Sequence, residues 1–182
     1  MFIINCKNYN EIAGEKIIKI AKIAEKISKK YKVPIAIAPP HHLIPLIIKF
    51  KIIVLAQHVD DKKIGSTTGF MVPEIVKKSK IDGSIINHSE HRISEKEIIS
   101  LVKRLQKLKL KTVLCVKNIN EAKRYTKLNP TFIAIEPPEL IGTGRAISTE
   151  KPTLILNAVR AVKSAKNSTK LKVENSVVCK KC

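Results

Sequence analysis

The fold is decided by residues 84–116, SIINHSEHRISEKEIISLVKRLQKLKLKTVLCV. Ser84–Asn87 and Thr112–Val116, at its two ends, have the length and apolar content of buried strands. Between them, Ser94 and Glu97 form a Ser-x-x-Glu capping box, the signature of a helix start. The apolar face of the helix that follows is formed by Ile98, Leu101, Val102 and Leu105. A strand, a helix and a second strand in this order predict one parallel β/α unit.

The same unit repeats along the chain. The other predicted strands are 2–5, 35–38, 53–57, 132–136 and, as the start of a seventh, 171–173. The other predicted helices are 11–31, 42–49, one opened by Pro73, 119–128 and one from Pro152 to about Ala165. In the first helix the predicted apolar face is Ile17, Ile20, Ala24, Ile27 and Tyr31. With no linker between the units, residues 1–182 are predicted to form a single α/β domain. Periodicity alone does not separate a closed (β/α)8 barrel from an open doubly wound sheet.

Composition and charge limit the classes of function. The chain has 182 residues, 44% of them hydrophobic, which is a globular composition. Its apolar runs are far shorter than the roughly 20 residues that cross a bilayer, and its start lacks a secretory signal, so we expect a cytoplasmic protein without membrane partners. The net charge of +20 lies mostly on polar helix faces, and 4% aromatic residues offer no stacking platform for single-stranded nucleic acid. A specific nucleic-acid partner is therefore not expected.

The cysteines and histidines do not form a metal-binding pattern. Cys6 and Cys115 lie in or beside predicted strands, and Cys179 with Cys182 forms a lone CxxC, which is half a zinc site. We interpret that pair as part of a reduced tail. The remaining histidines are interpreted as surface or packing residues: His41, His42, His58 and His91. No metal is predicted.

Polar residues lie at, or directly after, the carboxyl ends of the predicted strands, where parallel α/β folds have their active sites. They are Asn5, Lys7, Gln57, His58, Asn87, His88, Ser89, Glu90 and Glu136. A cation, an imidazole and a carboxylate at one edge suit the abstraction of a proton next to a carbonyl group. The segment 137–144 begins with two prolines and ends with two glycines around Thr143, which is typical of a stiff lid with hinges.

Three segments resemble the signature segments of the triosephosphate isomerase family, in the archaeal style and in the family's order. They are Asn5-x-Lys7, Asn87-His88-Ser89-Glu90-His91-Arg92 and residues 136–144, EPPELIGTG. Residues 56–60, Gly69 after a pair of threonines, and Cys115 also match. The resemblance covers roughly residues 1–165 and implies a TIM barrel.

The resemblance implies a reaction and the residues that perform it. The reaction is the interconversion of dihydroxyacetone phosphate and D-glyceraldehyde 3-phosphate in glycolysis and gluconeogenesis, without a cofactor. Glu136 would be the base, and His88 a neutral electrophile kept uncharged by a helix N-terminus, as in the known case of this family. Lys7 would stabilise negative charge beside Asn5. Ile141 and Gly142 would meet the substrate phosphate, and Glu90 would support the site from outside.

The chain departs from the family after the sixth unit. Residues 1–182 supply about six β/α units and a seventh strand, whereas a (β/α)8 barrel typically has about 250 residues. Residues 170–182 form an atypical tail, and all 6 glycines lie at or before Gly144, so the glycine-rich phosphate loops are missing. We therefore expect an incomplete barrel and at most a weak isomerase. The alternative is an inactive remnant that binds anions or nucleic acid as a scaffold.

The family resemblance also extends to assembly. The polar segment from Asp60 to Phe70, with Thr67 and Thr68 at its tip, resembles the interlocking loop through which subunits of the family pair. The resemblance implies a homo-oligomer, either a dimer or a tetramer.

Overall fold

A computed structural model describes residues 1–141, 143, 145, 147–164 and 170–171. The described chain divides into two compact units, one formed by residues 1–84 and one that begins at Ile85. The boundary lies inside the fourth strand, and each unit is described by itself.

Strands and helices alternate regularly. The strands are β1 (Phe2–Asn5), β2 (Ile35–Ala38), β3 (Ile53–Ala56), β4 (Gly83–Ile86), β5 (Lys111–Val116), β6 (Phe132–Ile135) and β7 (Lys170–Leu171). The α-helices are α1 (Lys16–Tyr31), α2 (Ile44–Ile47), α3 (Pro73–Lys78), α4 (Glu95–Lys107), α5 (Ile119–Thr126), α6 (Ile147–Glu150) and α7 (Pro152–Lys163). Short 3-10 turns lie at Asn10–Ile12, His41–Leu43 and Pro138–Leu140. The predicted α/β class is confirmed.

In the first unit, β1, β2, β3 and the start of β4 pair in parallel and in sequence order. The registers are set by Phe2 opposite Ile35, Ala36 opposite Ile53, and Leu55 opposite Gly83. All four residues of β2 are buried, as expected for a parallel strand covered on both faces. Parallel pairing places the carboxyl ends of these strands at one edge of the unit's sheet.

The first helix begins later than predicted. Gly14 has a φ of +58°, a left-handed conformation that interrupts the helical path, so α1 starts at Lys16 instead of residue 11. The buried positions of α1 are Ile17, Ala21 and Ala24. The predicted apolar face is therefore wrong at its carboxyl end, where Ile27 and Tyr31 are 42% and 62% exposed. The core of this unit accepts the small side chains of α1 and not the large ones near its end.

In the second unit, β5, β6 and β7 also pair in parallel, with Val113 opposite Phe132 and Phe132 opposite Lys170. The capping box is confirmed, since the Glu97 N–H donates to Ser94 Oγ and the Ser94 N–H donates to Glu97 Oε2. The four predicted apolar residues of α4 are all buried. Within the described residues, none of the helices combines the length and the apolar composition that crossing a bilayer requires.

Candidate active site

The carboxyl end of β1, in the first unit, is fixed through its backbone. Lys7 has a φ of +49°, which is unusual for a residue with a side chain, and its N–H donates to Asn5 Oδ1 at 3.1 Å. Gln57 Nε2 donates to the carbonyl oxygens of Lys7 at 3.0 Å and Ala38 at 3.1 Å. Asn5 and Gln57 therefore hold the turn that presents Lys7. The sequence placed Gln57 at a strand end without predicting this role.

The carboxyl ends of β4 and β6, in the second unit, bring His88 and Glu136 into contact. His88 Nε2 lies 2.9 Å from Glu136 Oε1, and the two side chains are 12% and 14% exposed. Oε2 of Glu136 accepts the Ser89 N–H at 3.0 Å, and Arg92 Nη2 lies 3.8 Å from the same oxygen. Charge-assisted hydrogen bonds of this kind compensate a largely buried carboxylate.

The hydrogen bonds of His88 define where its proton lies. Its Nδ1 accepts the Glu90 N–H at 3.2 Å, so in the neutral ring the proton is carried by Nε2 and is donated to Glu136. The Nδ1 partner belongs to the turn before α4, and the role of a helix N-terminus in keeping this ring uncharged stays a prediction. Glu90 Oε2 lies 3.6 Å from Nδ1, and the supporting role of Glu90 stays a prediction. The arrangement presents an imidazole N–H donor beside a carboxylate.

Asn87 and Arg92 hold this arrangement, and the sequence reading assigned a role to neither. Asn87 is 4% exposed and has a φ of +58°. Its Nδ2 donates to Cys115 O at 2.9 Å, and its Oδ1 accepts the Ile93 N–H at 3.2 Å. Arg92 Nη1 donates to Asn87 O at 2.6 Å. The signal that could have found them is their place in the quoted motif around His88. Asn87, His88, Ser89, Arg92 and Glu136 are called the strand-end cluster below.

After Glu136, Pro137 is still buried, whereas Pro138, Glu139 and Ile141 are exposed. Pro138–Leu140 forms a 3-10 turn, Ile141 is 41% exposed, and Gly142 lies outside the described residues. Lys151 Nζ donates to Glu139 Oε1, and this hydrogen bond is the main cause that lowers the pKa of Glu139. The first turn of the segment is therefore tied to the start of α7.

The described thiols do not take part. Burial raises the pKa of the Cys6 thiol to about 11, and Cys115 is fully buried, so neither is an activated nucleophile. Cys179 and Cys182 lie outside the described residues. Among the residues that are described, no group of three or more His, Cys, Asp or Glu side chains is placed to hold a metal ion.

Comparison with known proteins agrees with this chemistry. The family model described as triosephosphate isomerase matches residues 1–179. Triosephosphate isomerase of Cenarchaeum symbiosum (strain A) is 50% identical over 171 residues, which are 94% of this chain and 77% of that protein. Triosephosphate isomerase of Methanocaldococcus jannaschii is 40% identical over 172 residues, 94% of this chain and 78% of that protein. That of Sulfurisphaera tokodaii is 43% identical over 164 residues, 90% of this chain and 72% of that protein.

Proposed function

The chain belongs to the triosephosphate isomerase family, and we propose on that premise how its residues interconvert dihydroxyacetone phosphate and D-glyceraldehyde 3-phosphate. The family fold is the (β/α)8 barrel, and the described residues carry six β/α units and a seventh strand. Glycolysis and gluconeogenesis use this reaction, and the cytoplasm is its proposed compartment. That residues 1–182 form one domain remains a prediction.

The observation that carries the mechanism is the 2.9 Å contact between Glu136 Oε1 and Nε2 of a His88 ring whose other nitrogen accepts a backbone N–H. Glu136 is the proposed base. It takes a proton from the carbon next to the carbonyl group and returns it to the neighbouring carbon. His88 donates its Nε2–H to the carbonyl oxygen and stabilises the enediolate that forms. A carboxylate is an ordinary base for proton abstraction, and a histidine N–H is an ordinary donor to a developing oxyanion.

The proposed roles require Glu136 to move during the reaction. Both oxygens of Glu136 have a partner, one in the Ser89 N–H and one in His88 Nε2. A substrate whose carbonyl oxygen takes the Nε2–H of His88 displaces the carboxylate from that donor. Glu136 directly precedes the predicted lid, residues 137–144, so closure of that lid on the substrate would carry the base toward the reacting carbon.

The family resemblance adds four residues to the proposed site: Asn5, Lys7, Ile141 and Gly142. Lys7 supplies positive charge for the enediolate and the phosphate, and Asn5 supports it. The support for this pair is the 3.1 Å hydrogen bond that holds the turn at Lys7. Ile141 and Gly142 are the proposed contribution of the lid to phosphate binding.

The experiment that tests the function follows the transferred proton. The purified chain is incubated with dihydroxyacetone phosphate in D2O, and NMR follows the appearance of glyceraldehyde 3-phosphate and its deuterium content. We expect product that carries deuterium at the carbon next to the carbonyl group, because a carboxylate base exchanges its proton with solvent. The absence of product, or product without deuterium, would contradict the proposal. Heat-denatured chain is the control.

We also propose a homo-oligomer, a dimer or a tetramer, paired through the loop from Asp60 to Phe70. Asp60 closes this loop at its base, because its N–H donates to Met71 O at 2.9 Å and its Oδ2 accepts the Met71 N–H at 2.7 Å. Ile64 and Phe70 on the loop are 55% and 45% exposed, which suits an interface. Light scattering at micromolar concentration tests the proposal, and a monomeric mass would contradict it.

A further inference from the structure

We propose that Arg92 is a positioning residue for the base, and that its guanidinium group fixes the place of the Glu136 carboxylate between turnovers. The inference rests on the proposed role of Glu136. Arg92 lies in the connection between β4 and α4, and its side chain is 25% exposed. The mechanism above gives Arg92 no role, and the resemblance to the family includes it only as the last residue of the segment around His88.

The position of the guanidinium group is set by two backbone carbonyls. Nη1 of Arg92 donates to Asn87 O at 2.6 Å and lies 3.5 Å from Cys115 O. These carbonyls belong to the end of β4 and to β5, and the Asn87 side chain joins them through its own 2.9 Å hydrogen bond to Cys115 O. Because a guanidinium group is planar and rigid, fixing Nη1 also fixes the direction of Nη2.

Nη2 is directed at the base. It lies 3.8 Å from Glu136 Oε2, the same oxygen that accepts the Ser89 N–H at 3.0 Å. His88 holds the other oxygen at 2.9 Å. The Ser89 N–H and the neutral His88 ring supply hydrogen bonds without a full charge, and Arg92 adds that charge beside a carboxylate that is 14% exposed. With Arg92 removed, the carboxylate keeps its neutral donors and loses the cation that favours this position.

Lysine does not replace arginine here, although it carries the same charge. An ammonium group is a single compact centre on a flexible stem, so it cannot bind the two carbonyls with one nitrogen and face the carboxylate with another. Arg92→Lys therefore keeps the charge and loses the fixed direction, whereas Arg92→Gln loses both. Arg124→Gln is the matched control, because it removes an arginine that is 60% exposed on α5 and pairs with Glu95.

The direct measurement is hydrogen exchange at the Ser89 amide, followed by NMR on the ligand-free chain. We expect exchange at least about tenfold faster in Arg92→Gln, the size expected for losing part of a hydrogen bond to a charged group. Arg92→Lys should lie between Arg92→Gln and the wild-type chain, and Arg124→Gln should match the wild type. Wild-type exchange in Arg92→Gln, or full rescue in Arg92→Lys, would overturn the inference.

Kinetics supply the second measurement, on variants that circular dichroism shows to be folded. Misplacing a reacting group by about 1 Å can cost about 10²-fold, so we expect a kcat loss of that order in Arg92→Gln with KM changed less than about threefold. A rise in KM with unchanged kcat would overturn the inference. Failure of the proposed function is distinguishable, because it would abolish turnover in the unmodified chain while the Ser89 amide still responded to Arg92→Gln.

Discussion

Two glutamates three residues apart, Glu136 at the end of β6 and Glu139 in the turn that follows, sit in opposite environments. Glu136 is 14% exposed and is held by Ser89, His88 and Arg92. Glu139 is 49% exposed and is bound by one lysine. The difference arises because β6 carries Glu136 to the ends of neighbouring strands, whereas Glu139 lies in the 3-10 turn Pro138–Leu140, where the chain is exposed from Pro138 on. Both residues are glutamates, so it is the surroundings of each carboxylate that make them different in what they can do.

The largest expected effect is on kcat, and it distinguishes Glu136 from Glu139 directly. Glu136→Gln should lower kcat by about 10²–10⁴-fold or more, because an amide cannot accept the proton that a base must take. Glu139→Gln, the matched control, should keep kcat within about threefold, since its contact lies on the surface. Steady-state kinetics measure both variants. A loss in Glu139→Gln as large as that in Glu136→Gln would assign the base elsewhere in the segment.

A second prediction concerns the support under the strand-end cluster. Asn87→Ala removes one buried and one part-buried hydrogen bond and places alanine at a φ of +58°. The expected loss in the free energy of unfolding is about 2–4 kcal/mol, from groups left unsatisfied at about 1–3 kcal/mol and from the left-handed conformation at about 1 kcal/mol.

Asn129→Ala is the control for the backbone term, because Asn129 has a φ of +56° and is exposed, so that water can replace any side-chain partner it loses. It should cost only about 1 kcal/mol. Urea unfolding of both variants gives the comparison. Equal losses in the two would mean that the hydrogen bonds of Asn87 add nothing.

The smallest expected effect is the pH dependence of the Glu139–Lys151 pair. The hydrogen bond from Lys151 holds the pKa of Glu139 below its ordinary value of 4.5. A lowered pKa stabilises the folded protein above the ordinary pKa, and this stabilisation is lost as the pH falls through the lowered value. The wild-type chain should therefore have a slightly higher Tm than Glu139→Gln at pH 7.

That difference in Tm should shrink in the acid range and in high salt. Thermal unfolding of both proteins at pH 7, at low pH and at about 1 M salt measures it. A difference that is equal under all three conditions would contradict an electrostatic pair.

The sequence predicted the strands and the fourth helix well, because their signals are local. The bounds of β1 and β2 agree with the prediction, and the capping box and buried face of α4 are confirmed. The first helix was predicted five residues too early, since the left-handed Gly14 is a property of one backbone angle and not of apolar spacing. The exposure of Ile27 and Tyr31 was missed because periodicity defines a helix face but not how far the neighbouring core extends.

By itself, the sequence determined the order of strands and helices, the residue types at the strand ends and the family to which the chain belongs. Each of these three properties depends on residues that are close together in the sequence, through the spacing of apolar residues, the helix caps and the short motifs. Only the tertiary structure decided that Glu136 accepts the Ser89 N–H, 47 residues away, that His88 Nδ1 accepts the Glu90 N–H, and that Arg92 lies between Asn87 O and Glu136. Such contacts depend on the exact separation of groups that lie on different strands, because a hydrogen bond tolerates only a narrow range of distance and angle. Those distances exist only once the strands have paired.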